Sequence, residues 1–584
     1  MSLPEAVLRV DLTERAVTAE DIPEPWRRSF IGGKGLGVRY LFEMLNPDID
    51  PLGSANVLCL FRGPFSGYLP GETRFAAITK SPLTGIFVDS YSGGSFADAF
   101  VDALGAHVGI IIEGVADEPV TVHLEGGEVE IDETPALWGS DVRELDASLD
   151  GAVAGIGPAG ESLVRFATIA TDGGDHHAGR GGTGAVMGSK RLKAIVARGE
   201  PSANPELEAI RARYEERFHD HPEGRAHRAS GTLETVDAAD ELGVLPTMGW
   251  RAGRFDGADA IGIDAIQSRA DGREASGSEV EGDFQVGDVV PRGGLGIALG
   301  ANLGIGDLDE VVHLARLCDT LGMDFIETGN AVAWAMLASE EGVIDRTVRF
   351  DAVEDASQLI EEIATRSSRL GELLADGIDR AASRLGGANL VPTVKSMSAA
   401  SYDPRRAPSM ALAFATSDRG ACHRRSHPVF AEVTGTNWDD NDRITAVINE
   451  QNRSSLLWSY IVDDVTAPAF EADLGIEYFD AIGVDITSGE LERIGERVWT
   501  LTRLFNIREG VTRDDDNLPK VFTQPIDTGG DHATIDRLAF ARLLSHYYER
   551  RGWTQEGVPT ASLCESLGLV EELAEVGDGV DRFE

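Results

Sequence analysis

The segment His177-Ala-Gly-Arg-Gly-Gly-Thr-Gly-Ala-Val-Met-Gly-Ser-Lys190 places five glycines from Gly179 to Gly188 around one arginine. Glycine takes φ > 0 without a Cβ penalty and lets backbone N–H groups come close to a partner. A chain with such a run must turn tightly there, against an anion or against itself. Successive N–H groups in such turns form an anion-binding concavity, and Arg180 and Lys190 would add charge. Taken alone, the run reads as a turn that serves only the fold. Three further segments accompany it: Gly32-Gly-Lys-Gly-Leu-Gly37, Pro70-Gly-Glu-Thr-Arg-Phe75 and Asp89-Ser-Tyr-Ser-Gly-Gly-Ser95. Together they point to one large phosphorylated ligand. Neither the spacing of a P-loop nor that of a dinucleotide-binding fingerprint is present.

At 584 residues the chain exceeds what one hydrophobic core organises, so two or three domains are expected. No stretch approaches the ~20 apolar residues of a membrane span. Met1 to Asp21 lacks the basic start and apolar centre of a signal peptide, so the chain reads as cytoplasmic. The 98 acidic and 52 basic residues give a formal charge of −46, which repels nucleic acid and anionic membranes. With 42% hydrophobic residues this is not the composition of an acidic disordered chain. It is that of a folded protein in a salt-rich cytoplasm, where screening shortens the Debye length to about 3 Å at 1 M salt. The four cysteines, Cys59, Cys318, Cys422 and Cys564, are widely spaced, and neither a disulfide framework nor a metal knuckle follows from them.

Short β-branched runs at Val7 to Asp11, Val57 to Phe61, Phe75 to Thr79, Ile110 to Glu113 and Val120 to His123 predict strands. A linker near Arg198 to Pro205 ends this β-rich part. Helical spacing follows at Leu207 to Phe218, Leu308 to Leu321 (capped by Asp307), Ala331 to Glu341, Ser357 to Ala364 and Leu370 to Leu385, then at Glu490 to Leu504 and Arg537 to Arg550. The predicted class is α+β: a β-rich ligand-binding domain over 1–205, a helical domain over 206–405 and a second helical domain over 406–584. The acidic end, Glu571 to Glu584, reads as solvated.

Ile31 to Gly37, Thr73 to Gly85, Ile156 to Glu161 and Ala178 to Lys190 resemble the amino-terminal domain of the aldehyde:ferredoxin oxidoreductase family. The resemblance continues through Gly231 to Leu233, Glu241 to Thr247, Arg419 to His423, Leu504 to Gly510 and Arg551 to Trp553. It implies a tungsten, or molybdenum, bis-pterin beside a [4Fe-4S] cluster. The implied reaction oxidises a small aldehyde to its acid and passes electrons to ferredoxin or another redox partner. Asp319-Thr-Leu-Gly322-Met-Asp324 has the form that the family uses to grip a pterin; carboxylates accept paired hydrogen bonds from the ring, and Gly322 also suits a helix C-terminus. By the same resemblance Arg74, Arg180 and Arg425 meet pterin phosphates or ring oxygens. Gly93, Gly94, Ala178, Gly179, Gly181 and Gly182 supply cofactor-binding backbone. His423 is the catalytic candidate, able to exchange protons near neutral pH, or else a hydrogen-bonded structural residue.

The chain also departs from the family. The second pterin grip corresponds to Ser454-Ser-Leu-Leu-Trp-Ser459, without its Asp, Gly and Cys, and the other cluster cysteines correspond to Ala275, Ser278 and Gly282. Clusters are held by Cys thiolates, so the cluster is predicted absent. Pro291-Arg-Gly-Gly-Leu295 replaces a segment that carries an acidic residue in the family, and Tyr91 stands where the family often has Asn. Glu310-Val-Val-His313 presents two ligand-type side chains on one helical face, a spacing that a homodimer-interface metal could use and that solvated helices share. Two readings stay open: an oxidoreductase, with active chemistry of the family type or an altered one, and a non-catalytic paralogue that binds a pterin or a partner subunit.

Overall fold

The structure, a computed structural model, describes residues 3–199, 202–232, 234–273, 283–435 and 437–580. The N-terminal part contains twelve strands in two six-stranded sheets. The first holds β1 (Ala6–Asp11), β2 (Ala16–Asp21), β3 (Leu58–Phe61), β4 (Phe75–Lys80), β5 (Phe87–Ser92) and β6 (His107–Glu113), in the order β2-β1-β6-β3-β4-β5. The second holds β7 (Val120–Glu125), β8 (Glu128–Glu133), β9 (Ala152–Gly155), β10 (Ile169–Thr171), β11 (His176–Ala178) and β12 (Leu192–Arg198), in the order β11-β10-β9-β12-β7-β8. Each sheet has one parallel pair, β1 with β6 and β7 with β12, among antiparallel neighbours.

The side-chain period of two divides β3 and β4 between two cores. Leu58, Leu60, Phe75 and Ala77 face a core shared with the second sheet and the helix Ser95–Ala103. Cys59, Phe61, Ala76 and Ile78 face a core completed by C-terminal residues such as Leu456, Tyr460, Val498, Phe505 and Val576. With both faces buried, these strands read as continuous apolar runs rather than alternating ones.

Helices follow from Pro205 onward, so the architecture is the expected β-rich domain followed by helical ones. The helix Leu308–Leu321 starts where Asp307 accepts from the N–H groups of Asp309 and Glu310, and it ends at Gly322 with φ +73°. Asp324 then caps Phe325–Glu340 by accepting from the Ile326 N–H at 2.9 Å. The single helix expected over Leu370 to Leu385 is two, Arg369–Ala375 and Ile378–Leu385, because Gly377 between them has φ +100°. The end of the chain corrects the expectation of a solvated tail. Val570–Val580 is a helix, Val576 is buried, and Glu572 pairs with Arg39. Ala275, Ser278 and Gly282 lie outside the described residues. No helix among the described residues is long and apolar enough to cross a membrane.

Candidate functional site

The corner between Leu308–Leu321 and Phe325–Glu340 carries Asp319, Gly322 and Asp324, and backbone bonds from Thr168 N to Gly322 O (2.9 Å) and from Asp324 N to Phe166 O (3.2 Å) dock it on the N-terminal domain. Asp319 lies 3.3 Å from His177 Nε2, whose Nδ1 lies 2.7 Å from Thr168 Oγ1. Arg180, at φ +67°, extends across the same space. Its Nη2 donates to Ser398 O (2.5 Å) and Ala421 O (3.3 Å), and it sits 3.5 Å from Asp324 and 3.3 Å from Glu327. Arg180 Nε and Nη1, Asp324 Oδ2 and His423 Nδ1 are nevertheless buried without hydrogen-bond partners. Arg180 Nε and Asp324 Oδ2 face each other at 3.5 Å as an ion pair, and buried polar groups are normally satisfied, so Arg180 Nη1 and His423 Nδ1 are the atoms of this set for which the structure shows neither a hydrogen bond nor an ion-pair partner.

Most of the glycines face the protein itself. A Cβ on Gly182 would strike Arg165 O, and one on Gly181 would lie 2.5 Å from Val88 Cγ2. Gly179 has more room, with Thr168 Cγ2 at 3.6 Å, and Ala178 is fully buried at the end of β11. Lys190 does not face a ligand. Its ammonium donates to Asn56 O and Gly114 O, and burial lowers its pKa to about 8.

The second half holds a buried network of ion pairs. Lys34 lies between Asp89 (3.2 Å) and Asp418, and Arg425 joins the same two carboxylates, with Nε 3.0 Å from Asp418; all four side chains are buried. Burial would raise the pKa of Asp89, but Arg425, Lys34 and Arg419 outweigh it and hold the carboxyl below its ordinary range. Asp418 is lowered in the same way by Lys34 and Arg425. Tyr91 donates to Asp89 at 2.6 Å and stacks on Trp458 with ring centroids 3.9 Å apart. The end of the helix Asp440–Tyr460 closes on the Gly32–Gly37 segment. A Cβ on Gly33 would strike Trp458 O, and one on Gly63 would strike Tyr460 O. Gly35 N donates to Ser459 Oγ at 3.2 Å.

Gly93 and Gly94, expected to meet a ligand, meet carboxylates of the chain. Gly94 N donates to Glu72 Oε1 at 2.8 Å, and Ser95 N donates to Asp172 Oδ2 at 2.9 Å. A Cβ on either glycine would collide with those carboxylates. Arg74 lies 3.1 Å from Asp463, 3.4 Å from Glu72 and 3.7 Å from Asp464. Burial pushes Glu72 up, yet the hydrogen bond and charge of His176, with Arg74 and Arg292, hold it at about 2.

Proton chemistry differs from the expectation as well. Burial and the neighbouring Arg424, His427, Arg180 and Arg419 hold His423 well below the usual imidazole range. Glu327 moves the other way, raised to about 7 by burial although Arg180 and Ser398 oppose the shift. Ser398 donates to it from N (2.8 Å) and Oγ (2.6 Å). Arg419 donates to Cys422 Sγ at 3.1 Å, and Arg419, Arg425 and Arg180 lower the pKa of that thiol despite its burial. Glu327, Cys422, Asp418 and the pairing of Lys34 were not legible in advance, since they meet across up to 384 residues with no local pattern.

The family description "Aldehyde ferredoxin oxidoreductase, N-terminal domain" matches residues 7–199, and "Aldehyde ferredoxin oxidoreductase, domains 2 & 3" matches residues 209–569. The chain belongs to the aldehyde ferredoxin oxidoreductase family. It is 32% identical to the tungsten-containing aldehyde ferredoxin oxidoreductase of Pyrococcus furiosus, over 97% of this chain and 98% of that one. It is 28% identical to the WOR-like subunit of an aliphatic sulfonate oxidoreductase from the same organism, over 98% and 97%. These relatives are oxidoreductases. Among solved structures, the active-site complex BamBC of benzoyl coenzyme A reductase, in complex with 1,5 dienoyl-CoA, shares the fold, with TM-score 0.81, 21% identity and 99% of both chains covered.

Tungsten-containing relatives at 32% identity imply a tungsten-pterin cofactor for the family, and the two halves of the site differ in how the chain's own residues pair. In the Asp319–Asp324 half, Arg180 Nη1 and His423 Nδ1 could meet the polar edge of a heterocycle. The quartet of Lys34, Asp89, Asp418 and Arg425, with the Tyr91–Trp458 stack, pairs most charges of the other half, where Arg425 Nη1, Arg419 Nε, Ser417 Oγ and Ser455 Oγ are also buried without hydrogen-bond partners. Cys59, Cys318, Cys422 and Cys564 are buried and unbridged, and no group of three or more metal-ligating side chains occurs among the described residues.

Proposed function

We propose that this chain is a family member that binds one pterin-class ligand and does not assemble the bis-pterin redox centre, acting as a ligand-binding or partner-subunit paralogue rather than as an oxidase of aldehydes. The observation that carries this reading is the buried quartet of Lys34, Asp89, Asp418 and Arg425 beside the Tyr91–Trp458 stack, Trp458 belonging to the segment that the resemblance aligns with the family's second pterin grip. Asp319 and Asp324 would accept from ring N–H groups, and Arg180 and His423 would meet the ring's polar edge. Pterin-class chemistry suits that set because its amino and amide groups pair with carboxylates.

The test is quantification of released pterin, tungsten, molybdenum and iron in protein purified anaerobically at high salt. One pterin per chain without stoichiometric metal supports the reading. Two pterins per bound tungsten or molybdenum refute it. A second reading, oxidation of an aldehyde to a carboxylic acid with electrons passed to ferredoxin or another acceptor, is favoured by the identity to tungsten-containing relatives across nearly the full chain. Aldehyde-dependent reduction of a dye or of ferredoxin by that preparation would establish it.

A further inference from the structure

Cys422 differs from the other cysteines in what meets its sulfur. Arg419 Nη2 donates to Sγ at 3.1 Å, and both side chains are buried. Burial raises the Cys422 pKa, but Arg419, Arg425 and Arg180 outweigh it and bring the thiol below its ordinary range. Burial pushes the other three up, Cys59 and Cys318 well above that range and Cys564 to about 11. The thiolate, not the thiol, is the nucleophile.

The arginines converge on this sulfur through the backbone. Arg419 Nη1 and Arg425 Nη2 both reach the carbonyl oxygen of Asp89, and Arg180 Nη2 donates to Ala421 O, one residue before Cys422, at 3.3 Å. The carboxylates of this network are spoken for. Asp89 and Asp418 are held by Lys34 and Arg425, and Asp89 also by Tyr91, while Arg180 faces Asp324 and Glu327. Arg419 has no carboxylate within ion-pair distance among the described residues; its guanidinium contacts are Asp89 O and Cys422 Sγ. Arg419 Nε and Arg425 Nη1 are buried without hydrogen-bond partners, on residues 5% and 1% exposed. Buried donors are normally satisfied, and here one of them belongs to the guanidinium that touches the sulfur.

We propose that Cys422 is a modification site, at which hydrogen peroxide converts the thiolate to a sulfenate that Arg419 and Arg425 hold. Sγ attacks one peroxide oxygen, the O–O bond breaks and an S–O bond forms. Sulfur is oxidised by two electrons and the peroxide is reduced; the departing hydroxide takes the sulfenic proton and leaves as water. The added oxygen is an acceptor, so it supplies what Arg419 Nε and Arg425 Nη1 lack, and its charge rests on a guanidinium with no carboxylate of its own. Burial bars bulky thiol reagents, whereas hydrogen peroxide is little larger than water and needs only local opening. A sulfenate is returned to the thiol by thiol reductants. This inference does not depend on the pterin reading.

In the experiment, full-length protein purified anaerobically is exposed to hydrogen peroxide and then unfolded in dimedone, which caps sulfenic acid. Peptide mass spectrometry maps the products, so that methionine oxidation is counted apart. Cys422 is expected to react about tenfold or more faster than any other cysteine, the scale of one hydrogen bond to a charged group. Dithiothreitol added before dimedone should remove the product. Arg419→Gln should take away most of that advantage, and peroxide added after unfolding in urea should oxidise all four cysteines alike. Native Cys422 that reacts no faster than the other three, or no slower in a folded Arg419→Gln variant, overturns the inference. If Arg419→Gln does not fold, the selectivity for Cys422 in wild type and its loss in urea decide the matter.

Discussion

Lys34→Met and Asp418→Asn, made singly and together, test whether the second half-site is a closed ionic core. Lys34 sits between two buried carboxylates, and Arg425 bridges the same pair. Removing Lys34 takes from Asp89 and Asp418 the ammonium that lies between them, leaving Arg425 with the nearby Arg419, and neutralising Asp418 leaves Lys34, Arg425 and Arg419 around Asp89 alone. Either change strands an uncompensated buried charge, which costs about 3–5 kcal/mol. Making both changes removes one charge of each sign and keeps the Asp89–Arg425 pair and the Tyr91 hydrogen bond to Asp89. The double variant should therefore be little worse than either single one, with a coupling energy of about 3 kcal/mol or more against additivity. The assay is urea unfolding followed by tryptophan fluorescence at low and high salt, comparing midpoints among variants with the same slope. Because buried pairs are screened much less than surface ones, the coupling should survive high salt. Losses that add to within about 0.5 kcal/mol, the behaviour of independent sites, would refute the closed core.

Glu327 supplies a pH signature. A carboxyl raised from 4.5 to about 7 in the folded state binds more protons folded than unfolded, so stability falls as pH rises through that interval. At about 1.4 kcal/mol per pH unit the loss levels off near ~3 kcal/mol above neutrality. Glu327→Gln should lack this slope, and parallel curves for the two proteins would contradict the assignment. Cys422 should be unreactive to thiol reagents in the native protein, with all four cysteines reacting on unfolding, because each is buried. Its thiolate ultraviolet absorbance should still appear at lower pH than for an ordinary thiol and vanish in Cys422→Ser; absence of that difference would remove the arginine effect.

Much of the frame was readable because its signals are local. Asp307 and Gly322 mark the ends of Leu308–Leu321, and strand-length apolar runs mark β1, β3, β4, β6 and β7. Gly377 lies inside a periodic apolar run that masks it as a breaker, although its φ of +100° divides two helices. The Val570–Val580 helix was hidden by its acidity, since it depends on Val576 burying and on Arg39 meeting Glu572. At the site, the family-like residues of the first half were recognisable one by one. The ion-pair network of the second half was not, because a charge in sequence does not show its partner. Asp89 and Arg425 lie 336 residues apart, and Tyr91 meets Trp458 only through the fold.

The helix Asp440–Tyr460 ends against glycines that belong to the N-terminal domain. A cofactor that bridged these elements would have to be delivered before they close, and folding would wait on that delivery. Here Trp458, Ser459 and Tyr460 make the closing contacts with Tyr91, Gly35 and Gly63 directly, and the charges between the elements are matched from within the chain. On the reading proposed above, biogenesis of this protein would not wait on metal insertion: a cell lacking the pterin and tungsten pathways should then produce it fully folded, with its domains already docked.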